Sequence, residues 1–531
     1  MPTFKILISD PLSKEGVDIL RKNKDFYVEE VEKLKEDQLV AKIKDFDALI
    51  VRSGTVATKK IIDAGVNLKV IGRAGVGLDN VDLEAASKKG IVVMNTPTGN
   101  TISTAEHAFT LMMSLARSIP LADKSVKDGK WDRKKFMGVE LYGKVLGIVG
   151  LGRIGSEFAK RAQSFGMKVM AYDPFLTQEK AKSLNVEPVD LPTLYENADF
   201  ITIHTPLTEE TKHLIGEEAF KRMKKGVRII NAARGGIIDE AALAKYIASG
   251  KVAGAALDVY ESKATPPVDS PVYGMESVIT TPHLGASTEE AQLNVSIDIA
   301  ECVQDALLGK GYRNAANMPF IPEESLALMK PYILLAERMG SFQTQLIEEP
   351  IKEVKVKYAG DISNLDVSVI TRALMKGIFE PILVEHVNYI NSVFIAKERG
   401  ISVTEKKTTE VMDFANLICV EFVTEKKEYL IMGTLFGNKE PRIVMIDEFY
   451  VEAIPGGVIL VISNNDIPGI VGKIGTIIGK AEVNIAGINL GRNKKKKLAI
   501  SLLNLDSELP KEVIKKLSAI EGVTSVKQVK I

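Results

Sequence analysis

The chain has 531 residues, with 69 Lys and Arg balancing 69 Asp and Glu, and 45% hydrophobic residues. The length exceeds the roughly 100–200 residues of one ordinary domain, the hydrophobic share excludes a disordered chain, and zero formal charge gives no basic footprint for nucleic acid. The two cysteines, Cys302 and Cys419, exclude a disulfide framework and a cysteine-built zinc cluster.

The N-terminus meets charge and proline too early for a signal peptide. No run of about 18 apolar residues marks a membrane span. Few cysteines fit a reducing cytoplasm, and weak charge repulsion suits a homo-oligomer, a dimer or tetramer.

Apolar runs at 5–9, 48–51, 70–72 and 91–94 predict buried strands, with helical patterns at 13–23 and 83–89 between them. Residues 104–119 form an apolar helix, expected to be buried because most of its faces are apolar. A second strand series follows at 145–149, 168–172, 200–204, 228–231, 253–258 and 277–280. Strands alternating with helices imply βαβ units, so the fold class is α/β with two doubly wound, Rossmann- or flavodoxin-like parallel sheets. A proline-marked linker at 315–322 leads to a mixed α+β region with a helix at 374–388 and strands at 353–358 and 429–436. After Pro455-Gly456-Gly457 come strand 458–463, helix 469–480, strands 483–490 and 497–504, helix 510–519 and strand 523–530. That βαββαβ order is ferredoxin-like. The lysine run 494–497 reads as a solvated hairpin tip. The expected domains are 1–96 with 287–313, then 97–286, 314–453 and 454–531.

Gly150, Gly152 and Gly155 form GxGxxG between a strand and a helix, the context that motif requires. Gly150 permits the tight turn, Gly152 lets backbone approach a pyrophosphate, and Gly155 allows close helix–strand packing. The helix start supplies amides and positive dipole. Asp173 ends the next strand, where a carboxylate accepts both ribose hydroxyls and repels a 2′-phosphate, so the expected cofactor is NAD rather than NADP.

Hydride chemistry on a hydroxy acid needs a cation for the carboxylate and a base for the hydroxyl proton. Arg234, in NAARGG after a strand, offers a planar guanidinium that stays charged. His283, in TTPHLGAS, titrates near neutrality. His107 reads as a packed core residue, and His213 and His386 as helical surface residues without partners. His204, at a strand end, stays a rival base.

The runs LGIVGLGRIG, YDP, HTPL, NAARGGIIDE, AALDVYE and TPHLGAST resemble the D-isomer-specific 2-hydroxyacid dehydrogenase family. VRSGT, VIGRAGVGLDNVDLEAASKKGIVVMNTPTGN and DGKWDRKKFMGVEL are similar to its long phosphoglycerate-oxidising group. Region 323–452 resembles that group's intervening domain and 458–531 an ACT domain. The resemblance implies oxidation of 3-phospho-D-glycerate to 3-phosphohydroxypyruvate with NAD, the entry to serine synthesis. It makes Arg234 and His283 catalytic, choosing His283 over His204. It implies cofactor contacts at Arg153, Ile154, Asp173, Thr205, Pro206, Ala233, Asp258, Gly285, Ala286 and Val76, and a substrate side at Arg52, Ser53, Arg73, Gly75 and Asn100. Two first-domain arginines suit a substrate carrying phosphate and carboxylate.

One departure stands out. The family places a glutamate before a proline to pair with the histidine, whereas Lys263 stands there by direct count, in a loop about two residues longer. The longer loop is expected to swing Glu261 toward His283. In the C-terminal unit, Asn464, Asp466 and Asn484 resemble a serine-binding signature. Asp466 suits an ammonium and the amides near Gly469 a carboxylate; the bland alternative is a turn and helix cap. Other readings are a different D-2-hydroxyacid dehydrogenase, acting on glycerate or 2-hydroxyglutarate, and an NAD-binding corepressor-like scaffold.

Overall fold

The structure is a computed structural model that describes residues 2–32, 34–262, 264–319, 323–384, 386–410 and 413–531. Four sheets organise it. The first is fully parallel, in the order Phe26–Glu30, Phe4–Ile8, Ala48–Val51, Val70–Arg73, Val92–Met94. This is the flavodoxin-like order. Strands covered on both faces read as continuous apolar runs, and all four residues of Ala48–Val51 are buried. The edge strand Phe26–Glu30 (FYVEE) lacks such a run and is absent from the sequence expectation.

Helix Glu289–Leu307 returns the chain to this first sheet, where Val295, Ile299 and Val303 join its core. A side chain at Gly72 would stand 2.7 Å from Val303 and 2.9 Å from Ile299, so a glycine there admits the helix.

The second sheet has seven parallel strands, ordered Val278–Thr280, Val252–Leu257, Val227–Asn231, Phe200–Ile203, Val145–Val149, Lys168–Tyr172, Glu187–Pro188. The apolar helix is Thr101–Arg117, ended by Ser118 at φ 52°. It packs on helix Arg153–Ser164, with the Phe109 and Phe158 rings 5.5 Å apart edge to face.

The third sheet is mixed, ordered Ser402–Thr408, Glu353–Gly360, Asn416–Val423, Glu428–Phe436, Glu440–Ile446, Phe449–Ala453, with only the first pair parallel. Helices Glu323–Leu346 and Ser368–Phe379 pack on it and cross closely. A side chain at Gly377 would overlap the Glu337 carbonyl. The helix expected at 374–388 instead runs over Ser368–Phe379. Pro381 stops it, since proline lacks an N–H and disfavours helix in the residue before it. The loop that follows reaches the first sheet: Asn388 donates to the Gly90 carbonyl (2.8 Å) and Ile390 enters the first core.

The C-terminal sheet is antiparallel, ordered Ile485–Asn493, Leu498–Leu505, Val458–Asn465, Val523–Lys530. Helices Ile470–Lys480 and Lys511–Ser518 cover one face. The other face packs into the third region, where Ile459, Val461, Ile500, Leu502 and Val529 share one core with Met339 and Phe342. Among the described residues, no helix is long and apolar enough to cross a membrane.

Candidate active site

The dinucleotide fingerprint is built as its spacing requires. Gly150 has φ 93°, and a side chain there would meet the His204 carbonyl at 2.7 Å. Gly155 lies against the Gly150 carbonyl with no room for a side chain. Gly152 differs, because a side chain there would meet only open space. That space lies at the start of helix Arg153–Ser164, whose first turn has no side-chain cap. Uncapped amides beside an open cradle fit a diphosphate. Ile154 lies in that first turn, and Arg153 donates to the Pro97 carbonyl at 3.2 Å. Asp173 accepts from the amides of Leu151 and Phe175, each at 2.8 Å. Each oxygen keeps a further lone pair for a ribose hydroxyl. Thr205 Oγ1 is buried without a partner and Pro206 offers its carbonyl to Thr211, at 2.7 Å. These residues fit a bound dinucleotide.

Arg234 follows strand Val227–Asn231. Buried Asn231 shapes that loop, accepting from Ala233 N (3.0 Å) and donating to the Arg234 carbonyl (2.9 Å). The guanidinium Nε lies 3.0 Å from Asp79 of the first unit. Gly77 leaves it room, since a side chain there would overlap Nη2. Arg73 ends strand Val70–Arg73 and donates to Asn80 at 3.3 Å; Gly75 likewise makes room for it. Burial is the main cause that brings the Arg73 pKa to about 10, and the charges of Arg234 and Arg52 add to it. Three guanidinium groups thus crowd one cleft. Arg52 is anchored through its amide to Asp10 (2.6 Å), donates to the Pro11 carbonyl (3.1 Å), and keeps a buried Nε without a partner. Ser53 beside it is exposed. Asn100 precedes helix Thr101–Arg117 with a buried, unpartnered Oδ1. Val76 offers its carbonyl to Asn95 at 2.6 Å.

His283 has φ 59°, a left-handed conformation for a residue with a side chain. Its ring reaches solvent in the cleft, yet the surrounding protein strips enough water to lower its pKa. The Asp258 and Asp79 charges oppose that shift, while Arg234 and Arg73 reinforce it. Asp258 is fully buried and accepts from the amides of Leu284 (2.8 Å) and Gly285 (2.9 Å), the two residues after His283. Ala286 offers its carbonyl to Gln292 at 2.6 Å.

Three expectations change here. Glu261 does not swing to His283; its Oε1 lies 2.8 Å from His213 Nε2, and its amide donates to buried Glu240. The Gly235–Tyr260 contact and Glu240 hold this loop where Glu261 reaches His213. His213 therefore has a partner. Lys263 lies outside the described residues. His107 is more than core packing, because its Nε2 stands 3.1 Å from Asp258 Oδ1. His204 is held neutral by burial, with a pKa lowered to about 3, and bonds Thr202 at 3.0 Å. That environment removes it as a rival base. Sequence reasoning passed over Asp10, Gly77, Asp79, Asn80 and Gly235. Asp10, Asp79 and Asn80 follow strands of the first sheet, the general ligand end of such sheets, and that was their available signal.

Residues 109–285 match the D-isomer specific 2-hydroxyacid dehydrogenase NAD binding domain, 328–447 the D-3-phosphoglycerate dehydrogenase intervening domain, and 458–522 the ACT domain. The chain is 45% identical to D-3-phosphoglycerate dehydrogenase of Archaeoglobus fulgidus, over 99% of this chain and 100% of that one. The chain belongs to the D-3-phosphoglycerate dehydrogenase family. The Bacillus subtilis member is 44% identical over 99% of both chains. Among solved structures, the TT0316 protein of Thermus thermophilus is similar at TM-score 0.55 and 32% identity, over 59% of this chain and 99% of that one. D-lactate dehydrogenase of Aquifex aeolicus, complexed with NAD and lactic acid, is similar at TM-score 0.53 and 28% identity, over 60% of this chain and all of that one (100%). With its NAD binding domain matched, this family member is an NAD-dependent oxidoreductase.

In the family's ACT domain the expected effector residues do not meet within one chain. Asn465 pairs with Leu498 and Ile485 with Leu505, at opposite ends of the central strand. Asn464 and Asp466 thus stand roughly 20 Å from Asn484. Asp466 is paired with Arg492 at 2.8 Å, and Asn484 donates to Asp506 at 2.8 Å. Asn464 is buried with Oδ1 unpartnered.

Proposed function

We propose that the cleft oxidises 3-phospho-D-glycerate at C2 to 3-phosphohydroxypyruvate, as the first step of serine synthesis. The observation that carries this is that the guanidinium groups of Arg73 and Arg234 meet over the Gly75–Gly77 turn, close enough for both charges to act on His283, with Arg52 next to Arg73. Like charges held together in a partly desolvated cleft disfavour one another, and a substrate with phosphate and carboxylate relieves that repulsion through charge-assisted hydrogen bonds. Arg234 orients the carboxylate and steadies the C2 oxygen as it becomes a carbonyl. Arg73 and Arg52 hold the phosphate end. His283, neutral at pH 7 because its pKa is lowered, takes the C2 hydroxyl proton. NAD, when bound, supplies the hydride acceptor. Gly152 and the amides of the following helix hold its diphosphate, and Asp173 its ribose.

Three finer readings go with this. Five large apolar side chains, Ile119, Val126, Trp131, Met137 and Tyr142, are exposed within one stretch of the chain, which supports a homo-oligomer. An L-serine effector is supported by the ACT domain. The separation of Asn464 and Asp466 from Asn484 means a site using all three takes residues from two copies of the chain. Two buried free cysteines suit a cytoplasmic location. The test follows NADH absorbance with 3-phospho-D-glycerate, D-glycerate and D-2-hydroxyglutarate. A kcat/KM highest for the phosphorylated acid supports the reading. Equal or higher values for the others, or no turnover of any, refute it.

A further inference from the structure

The general base lacks the carboxylate partner its family leads one to expect. Among the described residues, no Asp or Glu oxygen lies within 4.0 Å of the His283 ring nitrogens, and Glu261 is engaged elsewhere. Something else must hold a left-handed, solvent-facing histidine in one orientation, because that backbone conformation costs roughly 1–2 kcal/mol for a residue with a Cβ.

The loop around His283 is tied down from beneath. Asp258 holds the next two amides, and the Thr281 hydroxyl donates to its Oδ1 at 2.6 Å. His107 Nε2 approaches the same Oδ1 at 3.1 Å and Thr281 Oγ1 at 3.4 Å. The Thr281 proton is already given to Asp258, so both contacts call for an Nε2–H on His107. One turn earlier on the same helix, Thr104 Oγ1 donates to the Gly285 carbonyl at 3.1 Å. Helix Thr101–Arg117 thus grips the loop through two side chains at i and i+3, which share a face. The same helix begins at Asn100, on the substrate side.

We propose that His107 is a positioning residue of the dehydrogenase reaction: its Nε2–H completes the shell of Asp258, and through Asp258 it fixes the 281–286 loop and the aim of His283. This rests on the proposed role of His283 as the base. Asp258, so held, is the carboxylate that faces the base across the loop, in place of the missing glutamate. The other charged groups facing His283 are Arg234, Arg73 and Asp79.

The test compares His107→Leu, which removes the donor, with His107→Gln, whose amide nitrogen reaches to the Nε2 position. In the full-length protein, His107→Leu is expected to lower kcat by about 10- to 100-fold, the scale of a small misplacement of a catalytic group. His107→Gln should recover most of the rate. Independently of turnover, NMR of 15N-labelled imidazoles should show the His283 titration midpoint displaced in His107→Leu and restored in His107→Gln. Wild-type kcat in His107→Leu, or equal losses in both variants, would overturn the proposal. So would an undisplaced His283 midpoint. If the wild-type protein turned over no hydroxy acid, the function reading would fail, and the NMR comparison would still decide whether His107 governs His283.

Discussion

Gly235→Ala probes the link between the Arg234 loop and the neighbouring 258–262 loop. Gly235 has no positive φ, so alanine suits its backbone and only space is at issue. A methyl group there would overlap the Tyr260 carbonyl oxygen and stand 3.0 Å from the Glu261 nitrogen. Tyr260 cannot simply retreat, because its hydroxyl bonds the Leu257 and Thr281 carbonyls, at 3.0 and 2.8 Å, and the next amide is held by buried Glu240. Relief therefore parts the two loops by more than about 1 Å in a close-packed setting. Overpacking of this kind costs about 1–3 kcal/mol of stability. The displaced guanidinium should lower kcat/KM by about 100-fold. NADH formation gives the rate, and a thermal scan gives the stability. Wild-type kinetics together with a wild-type melting profile would refute the argument that this glycine sets the position of Arg234.

Other perturbations follow from the same geometry. Glu261→Gln should leave the pH profile of kcat/KM unchanged and move its height by less than about 5-fold, because the partner is exposed His213; a shifted acidic limb would show a link to His283. In the proposed mechanism His283 acts in its neutral form, and its pKa is lowered, so activity should rise with pH through a midpoint below about 6.5. Asp79→Asn removes an opposing charge and should move that midpoint lower still, as measured in kcat/KM against pH. Asp173→Asn should raise the NADP to NAD ratio of kcat/KM by about 10-fold, roughly 1.4 kcal/mol of relieved repulsion, with both cofactors assayed side by side. L-Serine should give a calorimetric signal with the assembled full-length protein that Asn484→Ala removes.

Much of the catalytic half is legible in sequence for a physical reason. Its strands are buried on both faces, so 145–149 and 48–51 stand out as apolar runs, and the fingerprint glycines have one structural use each. The half-exposed strand Phe26–Glu30 has no such run. The helix of the third region is misread because apolar residues continue past Phe379, and only Pro381 and tertiary packing mark its end. In the site, Arg234 and His283 are recognisable because strand ends collect ligands. The direction of Glu261 is not, since loop length says nothing about which way a longer loop folds; Glu240 and His213 decide that. His107 reads as core because its partner, Asp258, is remote in sequence. Asn464 and Asn484 look like one site in a linear motif, yet strand register places them at opposite ends of a sheet.

In the proposed mechanism hydride leaves C2 directly for the nicotinamide while His283 takes the hydroxyl proton. Incubation of the protein with NAD and 3-phospho-D-glycerate deuterated at C2, followed by mass spectrometry of the NADH, tests it most directly. One deuterium is expected in the NADH formed by the wild-type protein, and no detectable NADH from His283→Ala. Deuterium lost to solvent, or an undiminished rate in His283→Ala, would contradict that mechanism.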